Sequence, residues 1–260
     1  SDRPMNRLIQ GDVGCGKTIV AILAASIIVG NNAQVAIMAP TEILAEQHFH
    51  SFNKYFKDIK VKCSLLISNI SNKEKQLLYD ELQSGHTQII IGTHALIQDS
   101  VTFSKLGLAI IDEQHKFGVE QRKKLIQKGN YPNILAMTAT PIPRTLAFTI
   151  HGEMEISWID EMPKNRQVIK TKVIGENKIY DVYASMKEEM NKGNHCYVVY
   201  PIISESEKID AKDAEGAYNR LKKQTFKDYS LGYIHGKLKK EEKDKIMNDF
   251  INGQINCLIT

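Results

Sequence analysis

Gly11-Asp12-Val13-Gly14-Cys15-Gly16-Lys17-Thr18 fits the pattern G-x-x-x-x-G-K-[ST]. The apolar run Arg7-Leu8-Ile9-Gln10 precedes it, and an Ile/Ala/Leu-rich stretch from Thr18 to Val29 follows. Strand, glycine turn and helix in that order form a nucleoside triphosphate site. The glycines turn successive backbone N–H groups inward around phosphate oxygens, Lys17 adds a point charge at the β/γ-phosphates, and the Thr18 hydroxyl can ligate Mg²⁺. The helix beginning near Lys17 points its N-terminal N–H groups and the positive end of its dipole at the same anion. Standing alone, eight such residues are also compatible with a plain glycine turn; the flanks argue against it.

Outward from this P-loop the pattern repeats. Gln34–Ala39, Val61–Leu66, Ile89–Gly92, Leu106–Ile111 and Ile134–Met137 read as strands separated by amphipathic helical stretches. That is the α/β pattern of a mostly parallel sheet, and continuous rather than alternating β-branched runs are expected where helices cover both faces. Ligands then gather at the strands' C-terminal ends. Polar motifs fall there: Pro40-Thr41-Glu42, Gly92-Thr93-His94, Asp112-Glu113 and Thr138-Ala139-Thr140. Between Glu153 and Gln167 the pattern weakens into a Pro-containing polar stretch, read as a connection. The expected organisation is a first domain over 1–153, a linker over 154–167 and part of a second α/β domain over 168–260. In that second part Val168–Ile174, His195–Tyr200, Leu231–His235 and Ile255–Thr260 read as strands. Lys178–Asn191, Lys212–Lys227 and Lys239–Asn252 read as helices.

Composition sets the outer limits. The 260 residues carry 34 basic and 30 acidic side chains for a net charge of +4, which neither announces nor excludes a nucleic-acid partner. Four cysteines, Cys15, Cys63, Cys196 and Cys257, stand far apart without metal-ligand spacing, so a disulfide framework and a zinc site are not expected. No apolar run approaches the roughly 20 residues of a membrane span, and Ser1-Asp2-Arg3-Pro4 lacks the features of a signal peptide. A cytoplasmic protein without a membrane partner is the expectation.

Asp112-Glu113 follows the apolar run Leu106–Ile111, which places two carboxylates at the mouth of a buried strand in the sheet that carries the P-loop. Asp112 suits Mg²⁺, directly or through water, and Glu113 suits polarisation of a water attacking the γ-phosphate. A solvated strand-end turn is the plainer alternative for such a pair. Lys17, Asp112 and Glu113 are thus the candidate catalytic residues.

Taken in order, Gly11–Thr18, Ala39–Gln47, Gly92–Leu96, Asp112–His115 and Met137–Thr145 resemble motifs I, Ia, Ib, II and III of the superfamily 2 helicases, which are translocating nucleic-acid ATPases. Asp112–Arg122 and Ile142-Pro143-Arg144-Thr145 resemble the branch that remodels branched DNA, with transcription-repair coupling translocases as near relatives. The resemblance covers nearly the whole chain. It implies a RecA-like ATP-binding domain followed by the start of a second RecA-like domain, ATP and Mg²⁺ as cofactors, and branched or duplex DNA held by its backbone by a monomer. The implied activity is ATP-driven translocation for fork reversal and Holliday-junction migration in recombination and repair. A coupling-factor translocase and a non-hydrolysing nucleotide- or DNA-binding module are the alternatives.

The same resemblance assigns Gln114 and His115 to sensing the γ-phosphate, against a plain surface role. Thr138 and Thr140 would link the acidic pair to the nucleic-acid face, although either could cap a helix. Pro40, Thr41, Glu42, Gly92, Thr93 and His94 would grip the strand by phosphate contacts that carry no base sequence. Thr41 is an equally good N-cap. His235, Gly236 and Lys237 would form a second grip, while the mixed charges of Lys239 to Lys243 also suit a solvated helix face. Cys15 departs from the more usual Ser, at a position that binds through its backbone. The family places a transition-state arginine beyond Thr260 and an adenine-contacting segment upstream, so the chain alone is expected to be a weak or silent ATPase.

Overall fold

A strand that is apolar at every position must be covered on both faces. The computed structural model, which describes residues 4–68, 70–140, 154–161, 169–200, 215–236 and 238–260, meets that demand with a parallel sheet between two helical layers. The chain divides into two compact units, Ser1–Gln167 and Val168–Thr260.

In the first unit, β1 (Asn6–Gly11), β2 (Gln34–Met38), β3 (Cys63–Leu66), β4 (Ile89–Gly92), β5 (Leu106–Asp112), β6 (Asn133–Thr138) and β7 (Glu155–Ile159) form one sheet in the order β3-β4-β2-β5-β6-β1-β7. Every pairing is parallel. Helix α1 (Lys17–Gly30) follows β1, α2 (Glu42–Phe56) follows β2, α3 (Asn72–Gln83) follows β3 and α4 (Val119–Ile126) follows β5. Successive residues of β2 serve opposite faces. Val35 and Ile37 join Ala21 and Ala25 of α1 and Phe52 and Phe56 of α2, whereas Ala36 and Met38 join Leu78, Leu82 and Leu125 from α3 and α4. Burying each of the larger side chains, Val, Ile, Leu, Met or Phe, contributes about 1.5–3 kcal/mol, so the two layers hold the sheet between them.

Register places the strand ends on one edge. Gln10 pairs with Thr138, Asp112 with Met137, Ile111 with Met38, and Met38 with Gly92. At the opposite edge the buried side chain of Gln34 acts as a staple. Its Nε2 donates to the carbonyls of Leu82 (2.9 Å) and Thr87 (2.8 Å), and its Oε1 accepts from the Lys105 N–H at 3.0 Å.

Two segments differ from the sequence expectation. Glu155–Ile159, read as part of the connection, is the edge strand β7. It pairs with β1 along its whole length, and Arg7 ties it down through Glu155 and Ser157. Its half-exposed edge position leaves it without the continuous apolar run that marks the inner strands. Conversely, the described part of Val168–Ile174 forms no strand, and Val173 is fully exposed. β-branched residues fit a pleated surface only where a neighbouring strand supplies hydrogen bonds and cover.

The second unit carries α5 (Ile179–Asn191), β8 (Cys196–Val198), β9 (Leu231–Tyr233), α6 (Lys240–Ile251) and β10 (Cys257–Ile259). Its three described strands are parallel, in the order β8-β10-β9. The expected helix near Lys212–Lys227 is seen as α-helix over 215–220 running into a π-turn at Leu221–Thr225. Met190, Leu221, Phe226, Leu231, Cys257 and Ile259 form one core cluster. All four cysteines are free, and burial pushes the Cys257 thiol up to about 12 and Cys63 to about 11. No helix among the described residues is long and apolar enough to cross a membrane.

Gly92 is fixed by space. A Cβ there would lie 2.5 Å from the Leu66 carbonyl oxygen of the neighbouring strand and 3.1 Å from Leu96 Cγ. Gly92→Ala is expected to lower the unfolding free energy by about 1–3 kcal/mol in urea denaturation, because backbone cannot yield as a side chain can. Gly30→Ala, where an added methyl meets nothing within 4 Å, should not lower it.

Candidate functional site

The loop after β1 turns on glycines. Gly14 and Gly16 have φ of 81° and 99°, the left-handed region in which a side chain is strained. Helix α1 then starts at Lys17 with no acidic residue in its first turn and no side-chain cap, which leaves the positive end of its dipole without a compensating side chain. Lys17 Nζ donates to the carbonyls of Gly11 (2.8 Å) and Asp12 (2.9 Å), so the ammonium is held inside the turn. Thr18 is half-buried at the second position of the helix. The Asp12 side chain accepts from the Val13 N–H, and Asp12 O accepts from Cys15 N–H, closing the loop on itself.

Asp112 ends β5 and is buried. The chain then turns sharply: Glu113 sits at φ 47° and ψ 53°, an unusual conformation for a residue with a side chain. Three bonds hold the turn. Glu113 N–H donates to Asp112 Oδ1 at 3.1 Å, Lys116 N–H to the Glu113 carbonyl at 2.8 Å, and Phe117 N–H to the Gln114 carbonyl at 3.1 Å. The turn swings the Glu113 carboxylate toward β6, where it accepts from Thr138 Oγ1 at 3.0 Å and from the Ala139 N–H at 3.3 Å. Thr138 Oγ1 lies 2.7 Å from Thr140 Oγ1, which lies 3.2 Å from His115 Nδ1, and His115 is 3.6 Å from the Glu113 carboxylate. Glu113, His115, Thr138 and Thr140 are therefore one hydrogen-bonded group spanning two strands.

Two residues that hold Asp112 and Gln114, on either side of Glu113, escaped the sequence reading. Asp112 Oδ2 is 2.7 Å from Nε2 of His48 on α2, with both side chains nearly buried. The buried face of α2 reads Ala45, His48, Phe52, Phe56, and an imidazole at that helical spacing amid apolar residues was the available signal. Arg122 Nη1 on α4 donates to Gln114 Oε1 at 3.3 Å, orienting a side chain that is 2% exposed. The i, i+8 separation carries no local pattern by which to find it.

The neighbouring strand ends divide by task. Thr41 Oγ1 accepts from the Leu44 N–H at 3.3 Å as the N-cap of α2, the capping role, and Glu42 Oε1 accepts from the Ser68 N–H at 2.9 Å. The Glu42 carboxylate, which would repel a phosphate, thus braces the loop after β3. Gly92 answers the close approach of β3. Thr93 is buried, and its hydroxyl has no hydrogen-bond partner among the described residues. His94 is exposed. Pro40, Thr41 and His94 line a cavity of about 760 Å³ together with Glu113, His115 and Thr140. Leu44, Phe117 and Ala139 add apolar lining, and Lys116 and Gln121 add polar groups that the sequence reading did not single out.

In the second unit, His235 and Gly236 follow β9. The His235 ring packs on Tyr233 with centroids 5.0 Å apart, and the Gly236 carbonyl accepts from Lys243 Nζ at 3.0 Å. Lys237 lies outside the described residues, as do Ile142 to Thr145. The Lys239 N–H donates to Glu242 Oε2 at 3.0 Å at the start of α6, so this charged stretch organises its own helix end.

Comparison with known proteins bears on what this edge serves. A family profile described as DEAD/DEAH box helicase matches residues 3–148, and one described as helicase conserved C-terminal domain matches residues 177–260. The chain is 49% identical over 251 residues to the ATP-dependent DNA helicase RecG of Aquifex aeolicus (strain VF5), covering 96% of this chain and 32% of the relative. It is 46% identical over 256 residues to the RecG of Bacillus subtilis (strain 168), covering 98% and 38%. The chain thus spans about a third of the length of the curated relatives it matches. Among solved structures, RecG bound to a three-way DNA junction superposes with a TM-score of 0.76 at 39% identity, covering 100% of this chain and 34% of that one. Dbp5 of S. cerevisiae bound to RNA and ADP BeF3 gives 0.70 at 20% identity, covering 98% and 65%, a likeness of fold. The two units accordingly match tandem RecA-like domains.

Thr138 is fully buried, and its hydroxyl is the side-chain donor to Glu113. Thr138→Val keeps the shape and removes that donor. The expected loss is about 1 kcal/mol of unfolding free energy, read by denaturant titration, with Thr138→Ser close to wild type. A Val variant near wild type beside a destabilised Ser variant would show that the methyl, not the hydroxyl, carries the position.

Proposed function

On the premise that the chain belongs to the DEAD/DEAH box helicase family, we propose that it is the ATP-driven core of a DNA helicase of the RecG type. The whole protein acts on branched DNA, coupling ATP hydrolysis to movement along duplex in fork reversal and Holliday-junction migration. The observation that carries this reading is the Glu113 carboxylate, held by Thr138 and Ala139 N–H beside Asp112 on the sheet edge that bears the glycine loop.

The residues suit a nucleoside triphosphate and a hard divalent cation. Positive-φ glycines and an uncapped, acid-free helix start offer N–H donors to phosphate. No group of three or more His, Cys, Asp or Glu side chains among the described residues forms a cage for a metal ion. Mg²⁺ takes one or two protein ligands and completes its octahedron with phosphate oxygens and water. Asp112 and Thr18 would hold it, and bound Mg²⁺ would neutralise charge on the transferring phosphoryl group. Lys17, released from the Gly11 and Asp12 carbonyls, would pair with the β/γ-phosphates. Glu113 would orient the attacking water and accept its proton. Gln114, set by Arg122, and His115, set by Thr140, would register the γ-phosphate and pass its presence to β6.

DNA would run over the outer part of the same edge. Pro40, Thr41, Thr93, His94 and Thr140 offer hydroxyl, imidazole and main-chain groups around the cavity or next to it, and Lys116 adds a cation. Contacts of this kind hold a backbone and read no sequence, as a motor on arbitrary DNA requires. In the second unit, His235, Gly236 and Lys237 would provide the other grip. The nucleotide-binding domain would extend through β7, with the connection falling after it and a second helicase domain from 168 onward. The protein would work as a cytoplasmic monomer.

Phosphate release by the whole protein tests the assignment. Branched DNA should stimulate it, and Glu113→Gln should lower it by about 10²–10⁴-fold while leaving nucleotide binding in place. Lys17→Ala should weaken nucleotide binding itself. Nucleotide binding without turnover in the wild type would favour a non-hydrolysing binding module and overturn the enzyme reading.

A further inference from the structure

The nearly buried contact between His48 and Asp112 joins two elements that sequence places 64 residues apart. Among the described residues, Asp112 uses each carboxylate oxygen once. Oδ1 accepts from the Glu113 N–H and Oδ2 faces His48 Nε2 at 2.7 Å. Each oxygen has two lone pairs, so both retain one for a cation or its water. With both oxygens engaged, the carboxylate cannot rotate about its Cβ–Cγ bond without breaking a bond.

His48 itself has little freedom. It is flanked on its helix face by Ala45 and Phe52, both fully buried, in a core that also takes in Ile37 and Ile110. The N-cap of helix α2, Thr41, lies seven residues earlier, which is about 10 Å along the axis. One rigid rod thus has its cap in the lining of the cavity and its second turn on the carboxylate.

We propose that His48 is a positioning residue for Asp112: the nearly buried Nε2–Oδ2 contact fixes the orientation in which the carboxylate meets Mg²⁺. The inference rests on the proposed role of Asp112 and adds a residue outside the matched motif residues that touch nucleotide. A ligating carboxylate held by a neighbour is better organised than one free to turn, and loss of such an outer partner typically costs 10–100-fold in metal affinity. His48 touches neither phosphate nor water in this scheme. Its effect passes through Asp112 alone.

Binding of a fluorescent, non-hydrolysable ATP analogue to the whole protein, titrated with Mg²⁺, provides a readout independent of turnover. His48→Leu should raise the Mg²⁺ concentration for half-maximal binding by about 10–100-fold, with metal-free nucleotide binding unchanged. His48→Gln, whose amide nitrogen reaches as far from Cβ as imidazole Nε2, should recover most of that loss. His48→Asn, one carbon shorter, should not. Thermal unfolding without metal identifies any variant that fails to fold; if His48→Leu does, the Gln and Asn variants decide. A folded His48→Leu with wild-type Mg²⁺ dependence, or equal shifts for Gln and Asn, would overturn the proposal. Asp112→Asn and Lys17→Ala serve as references. If they too leave Mg²⁺-dependent binding untouched, the reading of the whole site falls and this inference falls with it.

Discussion

Parallel pairing in register is the constraint on which everything else depends. A sheet covered by helices on both faces has no room for polar side chains along its strands, so polarity is expelled to the strand ends. Because all strands of the first unit run the same way, their C-terminal ends meet on one edge, and five polar motifs far apart in sequence become neighbours. Register sharpens this to the residue: Gln10, Thr138, Asp112, Met38 and Gly92 lie within a step of one another across five strands. A slip of one residue would turn Asp112 to the other side of the sheet.

Local strain at Glu113 is the second element of design. A left-handed backbone at a residue with a side chain costs about 1–3 kcal/mol and persists only where the surroundings fix it. Here the Asp112 carboxylate receives the Glu113 N–H, and the short helical turn that follows uses the Glu113 and Gln114 carbonyls. The strained turn carries the Glu113 side chain across to β6, where Thr138 and Ala139 receive it. A regular continuation of the strand would not produce that crossing. The cost of the turn and the placement of the carboxylate are one fact.

Much of this is legible in the amino-acid sequence. The glycine loop, the first six strands and the polar residues at their ends follow from apolar runs and breaker residues, because those signals are local. What stayed hidden depended on distance or on company. Strand β7 is short and half-exposed, and it exists because β1 offers it a ladder of hydrogen bonds. The run Val168–Ile174 has strand-forming composition, and its described part lacks such a neighbour. Thr41 could be read as a cap or as a grip, and its hydroxyl does cap α2 by accepting from the Leu44 N–H, a bond that leaves its O–H donor to spare. His48 and Arg122 act through space, on residues 64 and 8 positions away, and a single sequence records neither pairing.

The far edge of the sheet carries a lesson of its own. The Gln34 side-chain amide bonds three backbone partners, one in α3 and two in the segments leading into β4 and β5, at the N-terminal ends of the strands. Anchorage is thereby concentrated about one strand length from the edge where the polar motifs gather. The fold keeps this anchor and its polar motifs at opposite ends of the strands, so a change in the loops of one rim leaves the Gln34 hydrogen bonds of the other in place.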